Sequence, residues 1–164
     1  MFEEKNINPR RRTALVLILL VFLQYFFRRF LPVFGVAPDF FLIWILLLTL
    51  KGETVGSLVW AVILGLVDDL LGRNVIGKGT FGLVIAGYLA AFFRNLQLRE
   101  NIYLRSLYVF GFSILYIFIR IFNWSSFDWN AKMFFQTSLI FGMYNVIMAQ
   151  ILFLLKDKLM KWTA

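Results

Sequence analysis

Residues 40–50 read Phe-Phe-Leu-Ile-Trp-Ile-Leu-Leu-Leu-Thr-Leu, and Thr49 is the one polar side chain in the stretch. A helix without a polar face is either buried in protein or surrounded by lipid. The run from Leu15 to Phe27 has the same character, with Gln24 as its single polar side chain. Working outward, the uncharged apolar runs are Thr13 to Phe27, Phe40 to Leu50, Thr54 to Val67, Gly79 to Phe93, Ser106 to Ile119 and Met133 to Leu155. Only the last meets the roughly 20-residue span rule by itself, and Phe40 to Leu50 is the shortest and weakest candidate. Arg28, Asp39, Arg105 and Arg120 fall at the ends of these runs, in terminal turns where long side chains can snorkel and extend a helix toward span length. The expectation is an all-α integral membrane protein, a compact bundle of six transmembrane helices.

Composition points the same way. Of 164 residues, 61% are apolar and 16% charged, and phenylalanine appears 20 times. Soluble domains carry roughly 45–50% apolar and about 25% charged residues. The chain has no cysteine and no histidine, which excludes disulfides, thiolate nucleophiles, Cys/His metal sites and imidazole bases. A net charge of +8 would suggest nucleic acid in a soluble domain. In a membrane chain it suggests cytoplasmic loops and anionic lipid heads instead, and no nucleic-acid partner is expected.

Six spans place both termini on one side. That side receives Lys5, Arg10, Arg11, Arg12, Lys51, Arg94, Arg99, Arg105, Lys156, Lys158 and Lys161, while the other receives Arg28, Arg29, Arg73, Lys78, Arg120 and Lys132. The bias puts both termini in the cytoplasm. The expected organisation is a basic cytoplasmic N-terminus over 1–12, a transmembrane domain over 13–155 and a basic cytoplasmic C-terminus over 156–164. The first apolar stretch ends in Tyr25, Phe26, Phe27, Arg28 and Arg29 without a small-residue cleavage site, so it is expected to remain in the mature protein.

Several residues stand out as candidates for structure or partner binding. Ser57, Ala61 and Gly65 recur every four residues in the third helix, and Gly79, Gly82, Ala86 and Ala90 form a similar stripe in the fourth. Small residues allow close backbone approach in lipid, so these helices are expected to pack as a tight pair; a homodimer face is the other use of such a stripe. Asp68 and Asp69 are acids near the outer end of the third helix. Adjacent side chains diverge by about 100°, so the two acids do not form a converging catalytic dyad. An ion pair is the favoured reading over a substrate or proton site. Asp69 is expected to be buried against Arg120 first and Arg28 second, with Arg29 and Arg73 also within reach. Pro38 and Asp39 open the second helix, proline suiting the first turn and the acid favouring the dipole. Asn145, between Gln136 and Gln150 in the sixth helix, is expected to donate an interhelical hydrogen bond. Asn123, Trp124, Phe127 and Trp129 read as an interfacial aromatic belt.

From Pro38 to Arg94 the chain resembles the rod shape-determining protein MreD family. There a Pro-Asp pair opens helix two, Gly-x-x-x-Asp-Leu-Leu closes helix three, and after a short loop a glycine leads to Gly-Tyr-Leu in helix four. The matching residues here are Pro38 and Asp39; Gly65, Asp69, Leu70 and Leu71; Gly77; and Gly87, Tyr88 and Leu89. Two features depart from the pattern: Arg73, Asn74, Val75 and Ile76 replace a small polar, proline-containing loop, and Asp68 is an addition. The resemblance implies a non-catalytic scaffold of the bacterial inner membrane with no cofactor. It would bind MreC and so connect MreB filaments to peptidoglycan synthesis by RodA and its transpeptidase partner. It also implies a fold similar to the substrate-binding subunits of energy-coupling-factor vitamin transporters. The rival function is therefore a small-molecule-binding subunit of such a transporter. Those subunits resemble one another in an Ala-x-x-x-Ala pattern on the first helix, where this chain has only Ala14.

Overall fold

The computed structural model describes residues 9–32, 34–71, 77–94, 101–122 and 131–161. They form six helices: α1 (Pro9–Phe30), α2 (Phe40–Lys51), α3 (Thr54–Leu71), α4 (Lys78–Phe92), α5 (Ile102–Phe122) and α6 (Ala131–Lys161). All six helices extend beyond their uncharged runs at one end or both, because charged terminal turns continue them. The fold is that of an all-α membrane protein. Thr54–Leu71, Ile102–Arg120 and Phe134–Leu154 are long and apolar enough to cross a membrane.

The caps explain where the short helices stop. Asp39 is the N-cap of α2, its carboxylate accepting hydrogen bonds from the Phe41 and Leu42 amides. Pro38 consequently lies before the cap, one position outside the helix, rather than in the first turn as expected from sequence. The capping carboxylate itself satisfies the first free amides, and so takes the boundary position. At the other end Gly52 adopts φ +100°, and the Gly52 and Glu53 amides return to the Thr49 and Leu48 carbonyls. This Schellman closure needs the left-handed backbone that glycine supplies without strain. Two residues later α3 begins.

At 12 residues, α2 is about 18 Å long and too short to cross a hydrocarbon core of about 30 Å. Its uniform apolarity has another cause: α2 is the central helix and packs against all five others. Every residue from Phe40 to Leu50 except Trp44 is buried. The stretch that identifies the fold class is therefore a core helix inside a membrane bundle. By contrast, α1 exposes Leu15, Ile18, Leu19, Phe22, Tyr25 and Phe26, an apolar face suited to lipid.

Helices α3 and α4 form the most extensive pairing. Their two small-residue stripes are buried, Ser57, Ala61 and Gly65 on one side and Gly79, Gly82, Ala86 and Ala90 on the other. A methyl group added at Gly65 would lie 2.3 Å from the Thr80 Cα, so glycine is required for this crossing. The stripes are thus occupied within the chain. They are not a free surface for a second copy or another partner helix.

Candidate functional site

The chain alternates direction, which brings the ends of α1, α3 and α5 together with the starts of α2 and α4. Here the bundle holds a cluster of charge built around buried carboxylates. On α3, Asp68 is 1% exposed and lies between two guanidinium groups: its Oδ1 is 3.2 Å from Arg28 Nη1 of α1, and its Oδ2 is 3.1 Å from Arg120 Nη2 of α5. Arg120 Nη1 also lies 3.9 Å from Asp39 Oδ2 and donates to the Tyr116 hydroxyl at 3.3 Å. Four charges from four helices therefore balance. An isolated ion in this setting is costly, and pairing with hydrogen bonds is what permits burial.

Asp69 has a different partner from the one expected. It makes no ion pair with Arg120 or Arg28 among the described residues. Instead its carboxylate accepts hydrogen bonds from the amides of Gly77 at 2.8 Å, Gly79 at 2.6 Å and Thr80 at 3.3 Å, and from the Thr80 hydroxyl at 3.0 Å. The physical reason lies in the divergence of neighbouring side chains. Asp68 turns inward to the arginines, while Asp69 turns along the α3–α4 pairing to the start of α4, where free amides and the helix dipole favour an anion. Gly77, with φ +99°, aims its own amide at this carboxylate. Gly65, Asp69 and Gly77 thus form one device that seats α4 against α3.

The remaining candidates join the same network from below. Asn145 is wholly buried; its Oδ1 accepts the Asp39 amide at 2.8 Å and its Nδ2 donates to Ser113 Oγ at 3.0 Å, linking α6 to α2 and α5. Asp39 is therefore both a helix cap and a member of the charge cluster. Gln24, the lone polar side chain of the first run, accepts the Phe40 amide at 2.8 Å. Sequence reading singled out neither Tyr116 nor Thr80. Tyr116, wholly buried and four residues before Arg120 on the same helix face, carried a signal in that spacing. Thr80 carried none, since its role depends on the crossing at Gly65. Gln136 is exposed, whereas Gln150 donates to Ser106 Oγ and accepts from Arg105 at the opposite end of the bundle. Arg73, the aromatic segment from Asn123 to Trp129 and both termini lie outside the described residues.

Chemically, the arrangement locks helices together. Asp68 is saturated by arginines and Asp69 by donors, and among the described residues no group of acids is disposed to hold a metal ion. Next to the cluster, a cavity of about 320 Å³ opens between the 32–39 segment and α5, with Gln24, Arg28, Asp39 and Arg120 on its walls.

The residues forming this network all fall within residues 10–162, which match the family model described as rod shape-determining protein MreD. No curated protein and no solved structure matches the chain, so the likeness to transporter subunits stays an implication of the family resemblance. Because that match covers nearly the whole chain, the protein belongs to the MreD family, with a role in determining rod shape.

Proposed function

We propose that the protein is a non-catalytic scaffold of the bacterial cell-elongation complex in the inner membrane. It binds MreC, and through it RodA with its transpeptidase partner and the MreB filaments, so that peptidoglycan synthesis follows the filaments. The family match over residues 10–162 carries this reading. The buried cluster supports it, since every carboxylate there is engaged in holding helices and none is poised for chemistry. In the proposed orientation the basic segments 1–12 and 156–164 are cytoplasmic, flanking the membrane domain 13–155; the bias of Lys and Arg toward that side supports this.

The test is purification of the tagged full chain from its own cells in a mild detergent, followed by mass spectrometry. MreC should be recovered at near-equal stoichiometry. Recovery of the chain with a vitamin-like molecule and without MreC would replace the scaffold by the transporter reading.

A further inference from the structure

We propose that the crevice between α1 and α3 binds one anionic phospholipid, with the phosphate held by Arg28 and Arg29 and the acyl chains lying on Tyr25 and Leu71. Among the described residues, α1 approaches only α2 closely, and its bridge to α3 is the Arg28–Asp68 ion pair. The gap left between the two helices has a volume of about 290 Å³. Phe41 of α2 forms part of its lining, together with Val21 and Tyr25 of α1 and Leu71 of α3, while Arg28 and Arg29 lie at its charged end.

Charge and exposure choose the ligand. Asp68 borders the crevice but is 1% exposed and covered by guanidinium groups on both oxygens, so the accessible charge is positive. Arg28 is 40% exposed along its side chain and contacts Asp68 through one terminal nitrogen, leaving other donors of its guanidinium for an incoming oxygen. Arg29 is exposed and has no acidic partner among the described residues. Two adjacent guanidinium groups suit a phosphate, which accepts several charge-assisted hydrogen bonds.

The shape excludes the alternatives. A transmembrane helix is about 10 Å across and needs a groove several turns long; this crevice runs from Val21 to Arg29 and is closed by the ion pair. Its volume falls near the lower limit of ligand pockets, about 300 Å³. Inorganic phosphate would use the arginines but leave the apolar walls unfilled. Tyr25 and Leu71 are 62% and 49% exposed and continue into the apolar surface of the bundle, where acyl chains lie. A phosphate bearing such chains satisfies both ends of the site.

Full-length protein is equilibrated in mixed micelles with equal phosphatidylglycerol and phosphatidylcholine, and the retained lipid is counted by native mass spectrometry. One phosphatidylglycerol should be retained in preference to phosphatidylcholine, and added inorganic phosphate should not displace it. Arg28→Ala strips a partner from Asp68 and confuses folding with binding, so Arg29→Ala is the informative variant. It should lower the preference about fivefold, the worth of one basic residue at a lipid surface, without changing the unfolding temperature in the absence of lipid. Leu71→Trp should reduce retention by filling the crevice. Equal retention of the two lipids, or an unchanged preference in Arg29→Ala, overturns the site. Displacement by inorganic phosphate overturns the lipid and assigns the site to the free anion.

Discussion

Asp68 and Arg120 stand 52 positions apart in sequence, yet their side chains meet at 3.1 Å across the α3–α5 space. The pair is mostly hidden from solvent, and each member keeps one further partner when the other is removed, Asp68 the Arg28 guanidinium and Arg120 the Asp39 carboxylate. Asp68→Ala and Arg120→Ala should therefore each destabilise by less than the about 3–5 kcal/mol of a buried pair broken outright, about 2 kcal/mol. The double variant should cost less than the sum of the singles, by about 1–3 kcal/mol. Asp69→Ala combined with Arg120→Ala should be additive to within about 0.5 kcal/mol, because Asp69 is held by α4 amides. Reversible unfolding in detergent measures both cycles, and coupling confined to the second would reverse the assignment of the two acids.

Gly65 and Gly111 provide an internal comparison. Alanine at Gly65 places its methyl 2.3 Å from a backbone carbon of Thr80, whereas at Gly111 nothing lies within 4 Å. Backbone cannot step aside as a side-chain tip can, so Gly65→Ala should force α3 and α4 apart and cost at least about 2 kcal/mol. Gly111→Ala, on the same scale, should be neutral or stabilising by up to about 1 kcal/mol through helix propensity. Thermal unfolding of the two variants side by side is the measurement.

The class of fold was legible because apolarity without a polar face survives in any single stretch, as at Phe40–Leu50. What that stretch did not reveal was depth: a core helix and a lipid-facing one look alike when both solvents are apolar, and only the shortness of the uncharged run from Phe40 to Leu50 hinted at the former. The close α3–α4 pairing was readable from Gly65 and its stripe. The division of labour between Asp68 and Asp69 was not, since adjacent acids differ only in azimuth, and azimuth gains meaning once the neighbours are placed. From sequence, Asp39 is an acid opening a helix and nothing more, because the helix dipole alone accounts for an acid after proline. Its links to Asn145 and Arg120 are tertiary and leave no local mark.

The seat of α4 depends on Asp69 and Gly77 together. Asp69→Ala leaves the Gly77, Gly79 and Thr80 amides without their acceptor, and with about 1–3 kcal/mol for a buried unsatisfied donor the loss should exceed that of an ordinary cap. Asp69→Asn retains an acceptor oxygen and should lose less. Gly77→Ala meets no steric obstacle, so its cost is that of a left-handed backbone, about 1–2 kcal/mol. Gly77→Asn should be milder than Gly77→Ala. The order of the four variants in chemical denaturation checks the account, and equal losses for Asp69→Ala and Asp69→Asn would contradict it.

Asn145 ties the charge cluster to the middle of the bundle, holding the Asp39 amide with one end and Ser113 with the other. Both bonds are buried, and interhelical hydrogen bonds in membrane proteins contribute about 0.6 kcal/mol each on average. Truncation costs more than their sum, because the Asp39 amide loses its acceptor at the start of α2. Asn145→Ala should therefore destabilise by about 2 kcal/mol, and Ser113→Ala, which removes the bond from Asn145 together with the hydroxyl's own bond to the Val109 carbonyl within α5, by about 1 kcal/mol. Asn145→Asp should be the worst of the three, since it keeps an acceptor for the amide but adds a carboxylate beside Asp39 with no arginine to meet it. The effect should also be local before it is global. With Asp39 released, the α2 cap loosens, and the Phe41 and Leu42 amides should exchange faster with deuterium than those at the Gly52 end. Uniform acceleration along α2 would mean that Asn145 supports overall packing and not the cap.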